Sequence, residues 1–219
     1  MKAFVKSTGL ILLGALWSSD CEVLAKGNNS MQGKNAELAQ IIAANNQYKD
    51  PEVAIQNGYI SSIDLGAHCS TAVAEGHPSQ LGAMGYHFVK LEGFGEDDVD
   101  FINPNVLVYI PKTQLEGCTY STDDVLTNAA CRNNLSLAAV EDVVFAHNIE
   151  SDGGNYWENI PTFQGMEFYY LHDNPETVWV DEAHGFPPHY AMHIWLFENN
   201  PAGLFAQWNP KVSCQADNH

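Results

Sequence analysis

The sequence predicts an α+β fold in which two N-terminal helices pack on a mainly antiparallel sheet or partial β-barrel of about five strands. Apolar residues recur at helical spacing between residues 35 and 58. From Tyr59 onward the apolar segments are short, rich in β-branched and aromatic residues, and bounded by Gly, Pro or Asn. The intervals between these segments are too short for crossover helices, which favours antiparallel pairing.

The two predicted helices follow one another at the start of the domain. In "NAELAQIIAANNQYKD" the apolar residues from Leu38 onward have helical spacing, and Asn35 is a suitable N-terminal cap. In "DPEVAIQNGY" Asp50 is the cap, Pro51 takes the first helical position and Gly58 is the stop. These signals predict two consecutive helices before the first strand.

Five later segments have the composition and the length of strands. Gly85 and Gly93 bound the first, Pro111 ends the second, and the fifth runs from Pro188 to the turn "NNPAG". The acidic "GEDDVD" and the Gly/Asn-rich "NIESDGGNYWEN" are predicted loops. In chain order the predicted strands are "MGYHFVKL", "NVLVYIP", "LSLAAVEDVVFAH", "GMEFYYLHD" and "HYAMHIWLFE".

The N-terminal residues are predicted to be a signal peptide rather than part of the fold. Two lysines precede the apolar "TGLILLGALW", which is too short to span a bilayer, and cleavage is expected after Ala25. Cys21 leaves a lipoprotein as the alternative, although the acidic residue before it makes a poor lipidation motif. The predicted organisation of this periplasmic or secreted protein is a signal peptide at 1–25, a flexible lead-in at 26–34, a single globular domain at 35–214 and a tail at 215–219.

The charge of the chain narrows its expected partners. With 27 acidic residues against 9 basic ones, the formal net charge is −18. Such a surface repels phosphate backbones and anionic membranes, so no nucleic-acid binding and, after signal cleavage, no membrane binding are expected. A small-molecule ligand or a metal ion is the predicted partner, and the sequence leaves the oligomeric state open.

The cysteine count predicts two disulfides. Cleavage after Ala25 leaves four cysteines, and an even number in an exported chain argues for two disulfides, with three possible connectivities. Cys118 and Cys131 bracket the polar insertion "TYSTDDVLTNAA", which a local disulfide would tie down. Cys69 and Cys214 would then join the early part of the domain to its C-terminal end. Thiolate metal ligands are the rival assignment, but the chain has no C-x-x-C spacing.

Alternation along the predicted strands places three polar residues among apolar neighbours. His87 shares a strand face with Val89, Glu141 with Val143, and His193 with other apolar residues of the last strand. A carboxylate such as Glu141 is rarely buried unless it is paired or coordinated. Three central strands can therefore converge these side chains on one ion. A histidine on an apolar strand is more often a hydrogen-bonded core residue, and that alternative stays open.

His189 is the fourth candidate metal ligand. In a straight strand it lies about 13 Å from His193, so both bind one metal only if the chain bends after the Pro-Pro pair or forms a helix there. The apolar run after His193 favours the strand. We therefore predict that His189 is a ligand at the lip of the site, and His184 in "EAHGFPP" is a weaker candidate. Two or three histidines with one carboxylate suit a divalent transition metal, Zn, Cu, Fe or Mn, with an open position for water or substrate.

These residues predict an exported metal-binding protein whose His/Glu site lies in an aromatic-lined pocket. Tyr86, Trp195 and Phe197 are expected to shape or adjoin that pocket. One hypothesis is a metal-dependent enzyme, an oxidoreductase or a hydrolase, in which Glu141 is a ligand or the catalytic general base. The alternative is a non-catalytic binding protein for a metal or a small apolar ligand. The sequence has no nucleophile elbow, P-loop or EF-hand.

Several longer motifs lie between residues 48 and 214. They are "YKDPEVAIQNGY", "GAMGYHFV", "VLVYIP", "VEDVV" and a terminal "HIWLFENNPAGLFAQWNPKVSC". In these motifs the chain resembles a set of exported bacterial proteins of unassigned function. The resemblance implies a common fold for nearly the whole domain and adds weight to His87, Glu141 and His193. It implies no particular reaction, and the insertion between Cys118 and Cys131 departs from the pattern of that set.

Overall fold

The structure, a computed structural model, describes residues 19–151, 158–172 and 187–214. The chain divides into two compact units, residues 1–37 and 38–219. The first helix, Ser19–Asn45, begins in the first unit, and the other described elements belong to the second. Most of the predicted signal peptide, the predicted tail and His184 lie outside the described residues.

The described residues form five α-helices. They are α1 (Ser19–Asn45), α2 (Pro51–Gln56), α3 (Thr122–Thr127), α4 (Ala129–Asn134) and α5 (Ala146–Ser151). The prediction for α2 is confirmed: the Asp50 side chain accepts the Glu52 N–H at 3.0 Å, Pro51 takes the first helical position, and Gly58 has φ +90°. Helix α1 begins before Asn35, the cap that its sequence predicts.

Helices α3 and α4 lie inside the segment that the sequence analysis treated only as a polar insertion. Each is six residues long and has a capped N-terminus. The Ser121 side chain accepts the Asp124 N–H, and the Asn128 side chain accepts two N–H groups at the start of α4. Ser and Asn are strong caps, so this local signal was present in the sequence.

The described strands include the five that the sequence predicts. They are β1 (Tyr59–Ser61), β2 (Ser70–Thr71), β3 (Ala83–Lys90), β4 (Val106–Pro111), β5 (Leu135–Phe145), β6 (Thr162–Phe163), β7 (Met166–Glu167), β8 (Tyr169–Leu171) and β9 (His189–Ile194). The fourth predicted strand is divided between β7 and β8, because β7 pairs with β6 whereas β8 pairs with β9. The short strands β1, β2 and β6 were not predicted.

Seven of the described strands form one open sheet. Its order is β1-β3-β4-β5-β9-β8, with β2 also paired to β3, and each of these pairs is antiparallel. Strands β6 and β7 form a separate two-stranded hairpin. The prediction of an α+β fold with a mainly antiparallel sheet is confirmed, and the sheet is not closed into a barrel.

One side of the sheet, the helix face, shares a buried cluster with the helices. Ala54 of α2, Val125 of α3 and Cys131 of α4 belong to this cluster. Burial of each large apolar side chain on this face contributes about 1.5–3 kcal/mol to folding. One buried row of the cluster crosses the central strands: Phe88, Leu107, Val140 and Ile194.

The other side of the sheet, the opposite face, carries a second and mainly aliphatic cluster. Side chains alternate between faces along a strand, so the neighbours of the helix-face residues point to this side. The cluster contains Ala83, Val89, Val106, Val108, Ala138, Ala139, Val143, Ala191, Trp195 and Val212. His87, Glu141 and His193 have the alternation of this face, as the sequence predicts.

Both predicted disulfides are confirmed. Cys69 is bonded to Cys214 with a Cα–Cα distance of 5.8 Å, and Cys118 to Cys131 with a distance of 5.5 Å. Two disulfides indicate an oxidising environment outside the cytoplasm. Among the described residues, no helix has both the length and the apolar character that a bilayer crossing requires.

Candidate metal centre

Strand register brings His87, Glu141 and His193 together on the opposite face. Glu141 of β5 is paired with Val106 of β4 on one side and with His193 of β9 on the other. His87 of β3 is paired with Val108, which lies two residues beyond Val106 on β4. The side chains of His87 and Glu141 meet over β4, because the side chains of Val106 and Val108 are short enough for the two longer side chains to reach across them.

The three side chains converge on one atom. The Nε2 atom of His87 lies 3.4 Å from Oε2 of Glu141, and Nε2 of His193 lies 3.5 Å from the same oxygen. The three donor atoms all lie within 4.8 Å of one another. A tetrahedral ion with ligands at about 2.1 Å separates those ligands by about 3.4 Å. The two nitrogen–oxygen distances therefore match the ligand spacing around a small metal ion.

The centre is buried, and one of its polar atoms has no hydrogen-bond partner. Glu141 is 5% exposed and His193 only 2%, whereas the His87 side chain keeps 16% of its surface exposed. The Nε2 atom of His193 is buried without a hydrogen bond. An unsatisfied buried polar atom costs about 1–3 kcal/mol, so the native structure is expected to compensate for it.

Burial favours the uncharged form of all three side chains. It raises the pKa of Glu141 to about 8, and the neighbouring Asp142 carboxylate raises it further. Burial lowers the pKa of His87 to about 4. It also lowers the pKa of His193 far below the usual range, with the nearby His87 adding to the effect. These shifts disfavour an ion pair between Glu141 and either histidine, and they favour the neutral imidazole form that binds metals.

Gly85 determines how closely β3 approaches β4 just before His87. Its φ of +126° is unfavourable for residues with a side chain. A Cβ atom at this position would lie 2.5 Å from the carbonyl oxygen of Tyr109. A glycine two residues before His87 therefore permits the close strand pairing that directs His87 toward Glu141.

The Trp195 ring packs against His193 and is held in place by a hydrogen bond. The two rings are stacked, with centroids 5.9 Å apart and planes inclined by 18°. The indole Nε1–H donates to the Ala206 carbonyl at 2.6 Å, which holds the ring in place. Tyr86 was also expected near the site, and this expectation is wrong. It packs against Tyr120 on the helix face, because residue 86 has the opposite alternation to residue 87.

His189 lies at the start of β9, apart from the three converging residues. It is paired with Phe145 on one side and Leu171 on the other, and it is 7% exposed. Its Nδ1–H donates to the Pro187 carbonyl at 3.0 Å. Burial lowers its pKa, and this hydrogen bond opposes the change. Its ring nitrogens are not among the donor atoms that lie within 4.8 Å of one another. Its role as a lip ligand stays a prediction.

Asp142 is a second buried carboxylate, which the sequence analysis did not single out. It is 2% exposed and accepts the backbone N–H groups of Asp100 at 2.8 Å and Val143 at 3.2 Å. Burial raises its pKa to about 7, and these two hydrogen bonds oppose the increase. Asp142 thus ties the acidic loop to β5 beside Glu141. Two consecutive acidic residues in the apolar segment "LSLAAVEDVVF" were the available signal.

A second group of potential donors does not form a metal centre. Cys118, Asp124 and Cys131 have ligand atoms that lie close together. The two sulfur atoms are bonded to each other, so neither is a free thiolate. The Asp124 carboxylate accepts the N–H groups of Thr119 and Tyr120. This group is explained as a disulfide next to a capped turn.

Comparisons with known proteins add no functional assignment. No protein family, no curated protein and no solved structure matches this chain. The chemistry of the centre therefore has to be argued from its own residues.

Proposed function

We propose that this chain is an exported metal-binding protein that holds a divalent transition metal through His87, Glu141 and His193. The observation that carries the proposal is the buried Nε2 atom of His193, which has no hydrogen-bond partner although it lies 3.5 Å from a carboxylate oxygen. A cation between the three donors would accept this lone pair and would favour the ionised form of Glu141.

The donor set favours transition metals over Mg²⁺ and Ca²⁺. Two imidazole nitrogens and one carboxylate oxygen suit Zn, Cu, Fe or Mn, whereas Mg²⁺ and Ca²⁺ prefer oxygen ligands. Catalytic zinc sites commonly have three protein ligands and an open fourth position. A metal-dependent oxidoreductase or hydrolase with Glu141 as ligand or general base is thus one form of the proposal. A non-catalytic metal carrier with the same three ligands is the other.

A purely structural role for these histidines explains less. Buried polar side chains in a structural network are normally hydrogen-bonded, since an unpaired group is costly. In this centre, Nε2 of His193 is buried without a hydrogen-bond partner, although a Glu141 carboxyl oxygen lies 3.5 Å away and the Trp195 ring is stacked on the imidazole. The metal-binding proposal accounts for this atom, and the structural interpretation leaves it unsatisfied.

Export to the periplasm or the medium is the second part of the proposal. The two disulfides support it, because they persist in oxidising compartments. The predicted signal peptide and the resemblance to exported bacterial proteins point the same way. Intact mass of exported material should correspond to a protein that begins at Lys26, and a lipidated species that begins at Cys21 would contradict this cleavage site.

Metal retention in matched variants tests the centre. Protein without a histidine tag is stripped with a chelator, reloaded with Zn²⁺ or Co²⁺, desalted and analysed for metal content. We expect about one ion per chain in the wild type, loss of retention in His193→Ala, and weaker retention in Glu141→Gln, because the amide keeps the shape but loses the charge. His147→Ala is the control, since His147 lies on the exposed surface of α5.

The alternative outcomes are distinguishable. Full metal content in a folded His193→Ala variant, or no bound metal in the wild type, would assign the three residues a structural role. Far-ultraviolet circular dichroism of each variant shows whether the sheet is intact, so loss of metal is not confused with unfolding.

A further inference from the structure

We propose that the bound metal keeps an open coordination position, on the side of His87, that takes a small monoanionic ligand such as a carboxylate. This inference rests on the proposed metal site. It adds the chemical class of the molecule that the site would recognise.

The number of protein donors leaves a position open. Among the described residues, the group at this centre consists of His87, Glu141 and His193. The residues that flank them in the strand register are aliphatic and cannot coordinate: Val89, Val106, Val108, Ala139 and Ala191. Transition metals of this kind have at least four ligands, so a molecule from solution completes the shell.

The charge of the centre selects an anion. A divalent ion with one ionised Glu141 and two neutral imidazoles has a net charge of +1. The surrounding side chains are apolar, and an uncompensated charge is costly to bury among them. One monoanion makes the centre neutral, whereas a neutral ligand leaves the charge unchanged. Asp142 follows Glu141 in sequence, but strand alternation places it on the helix face. There its carboxylate accepts hydrogen bonds from backbone N–H groups.

The exposure of the three residues indicates where the ligand enters. His193 and Glu141 are almost fully buried, while the His87 side chain keeps 16% of its surface exposed. In the row of His87, the neighbouring side chains on β4 and β5 are Val108 and Ala139, which are small. The open coordination position therefore has to be reached past β3. The part of the ligand that coordinates the metal has to be small.

The overall charge of −18 acts against this preference only at long range. Repulsion between an acidic surface and an anion slows their encounter, and salt screens it beyond about 10 Å. Coordination acts at about 2 Å, where the charge of the metal centre dominates. We therefore expect anion affinity to rise with ionic strength rather than to fall.

A matched pair of probes tests the inference on the whole Co²⁺-loaded protein. Formate and formamide have the same size and shape, but only formate is charged. Titration of each is followed by the visible absorption of Co²⁺, which changes in position and intensity when the coordination shell changes. We expect formate to change the spectrum with a dissociation constant at least tenfold lower than that of formamide. Azide, a second monoanion, should behave like formate, and His147→Ala should behave like the wild type.

Three outcomes would overturn the inference while leaving the metal site intact. Equal effects of formate and formamide, or no effect of either on fully loaded protein, would show that charge does not select the ligand or that the shell is closed. A formate response that appears only in His184→Ala or His189→Ala would show that this histidine fills the position. Absence of bound Co²⁺ by metal analysis, in contrast, would reject the proposed metal site itself.

Discussion

The Glu141 carboxyl group has little contact with water, and its neighbours are two neutral imidazoles. Burial raises the pKa of Glu141 to about 8 and lowers that of His87 to about 4, so in each case the uncharged form is favoured. A metal ion reverses the preference for Glu141, because a cation beside a carboxyl group favours its ionised form. The proposed metal ion would therefore change the charge state that burial favours at Glu141.

Trp195 provides a spectroscopic report on this position. Its ring is stacked on His193, so a Cu²⁺ ion bound by that histidine should quench Trp195 fluorescence at short range. We expect Trp195→Phe to lose at least half of the quenching that Cu²⁺ causes in the wild type. Trp208→Phe is the control, since Trp208 belongs to a separate cluster with Ala72 and Met84.

Fluorescence titrations of the three proteins under one set of conditions check this expectation. Equal quenching in the wild type and in Trp195→Phe would place bound Cu²⁺ away from His193.

Strand β3 is the element whose geometry depends on a single glycine. Gly85→Ala would place a Cβ atom against the Tyr109 carbonyl in a backbone conformation of φ +126°. We expect a loss of about 1–3 kcal/mol in the free energy of unfolding, together with weaker metal retention, because His87 is displaced with the strand.

Gly58→Ala is the matched control for that variant. Gly58 follows α2, has φ +90°, and no atom lies within 4 Å of the position of its Cβ. It should therefore lose stability through backbone strain but keep wild-type metal content. Urea unfolding and metal analysis of both variants separate strain from displacement of His87, and normal metal content in a destabilised Gly85→Ala protein would dissociate β3 from the site.

At the scale of the whole molecule, the two disulfides differ in the length of chain that they restrict. Cys69–Cys214 closes 145 residues and Cys118–Cys131 closes 13. On the chain-entropy account, the long loop is worth about 5 kcal/mol and the short loop about 3 kcal/mol. Replacing both cysteines of the long loop by alanine should therefore destabilise the protein by about 2 kcal/mol more than the same change in the short loop.

Denaturant unfolding of the two double variants measures this difference. A larger loss from the Cys118/Cys131 pair would show that α3 and α4, rather than the length of the restricted chain, determine the effect.

Removal of the metal is expected to lower the Tm of the protein. A ligand that binds only the folded protein, at a concentration of about 1,000 times its dissociation constant, stabilises it by about 4 kcal/mol. For a domain of this size that corresponds to an increase of about 10 °C in Tm. Thermal unfolding with Zn²⁺ and with excess chelator should differ by this amount in the wild type. The Tm of His193→Ala should be the same in both, and a metal-dependent shift in that variant would indicate another binding site.

Local sequence patterns were sufficient for much of the fold. The caps and the stop of α2 involve residues within one or two turns, so Asp50, Pro51 and Gly58 identified the helix without reference to the rest of the chain. Alternation along a strand is equally local, and it placed His87 and Glu141 on apolar rows. Weaker local signals were not recognised in the sequence. Ser121 and Asn128 cap two helices that were not predicted. Tyr86 was assigned to the site although its alternation places it on the helix face.

The sequence by itself predicted the five main strand segments, the residues that share a face along each of them, and the two disulfides that the structure contains. Only the tertiary structure decided which strands are neighbours. It places β9 beside β5, so that His193 is paired with Glu141, and it lets His87 reach the same oxygen across β4. The physical reason is that strand pairing joins residues far apart in the chain and depends on the packing of the whole sheet. Alternation, in contrast, is a property of each strand alone.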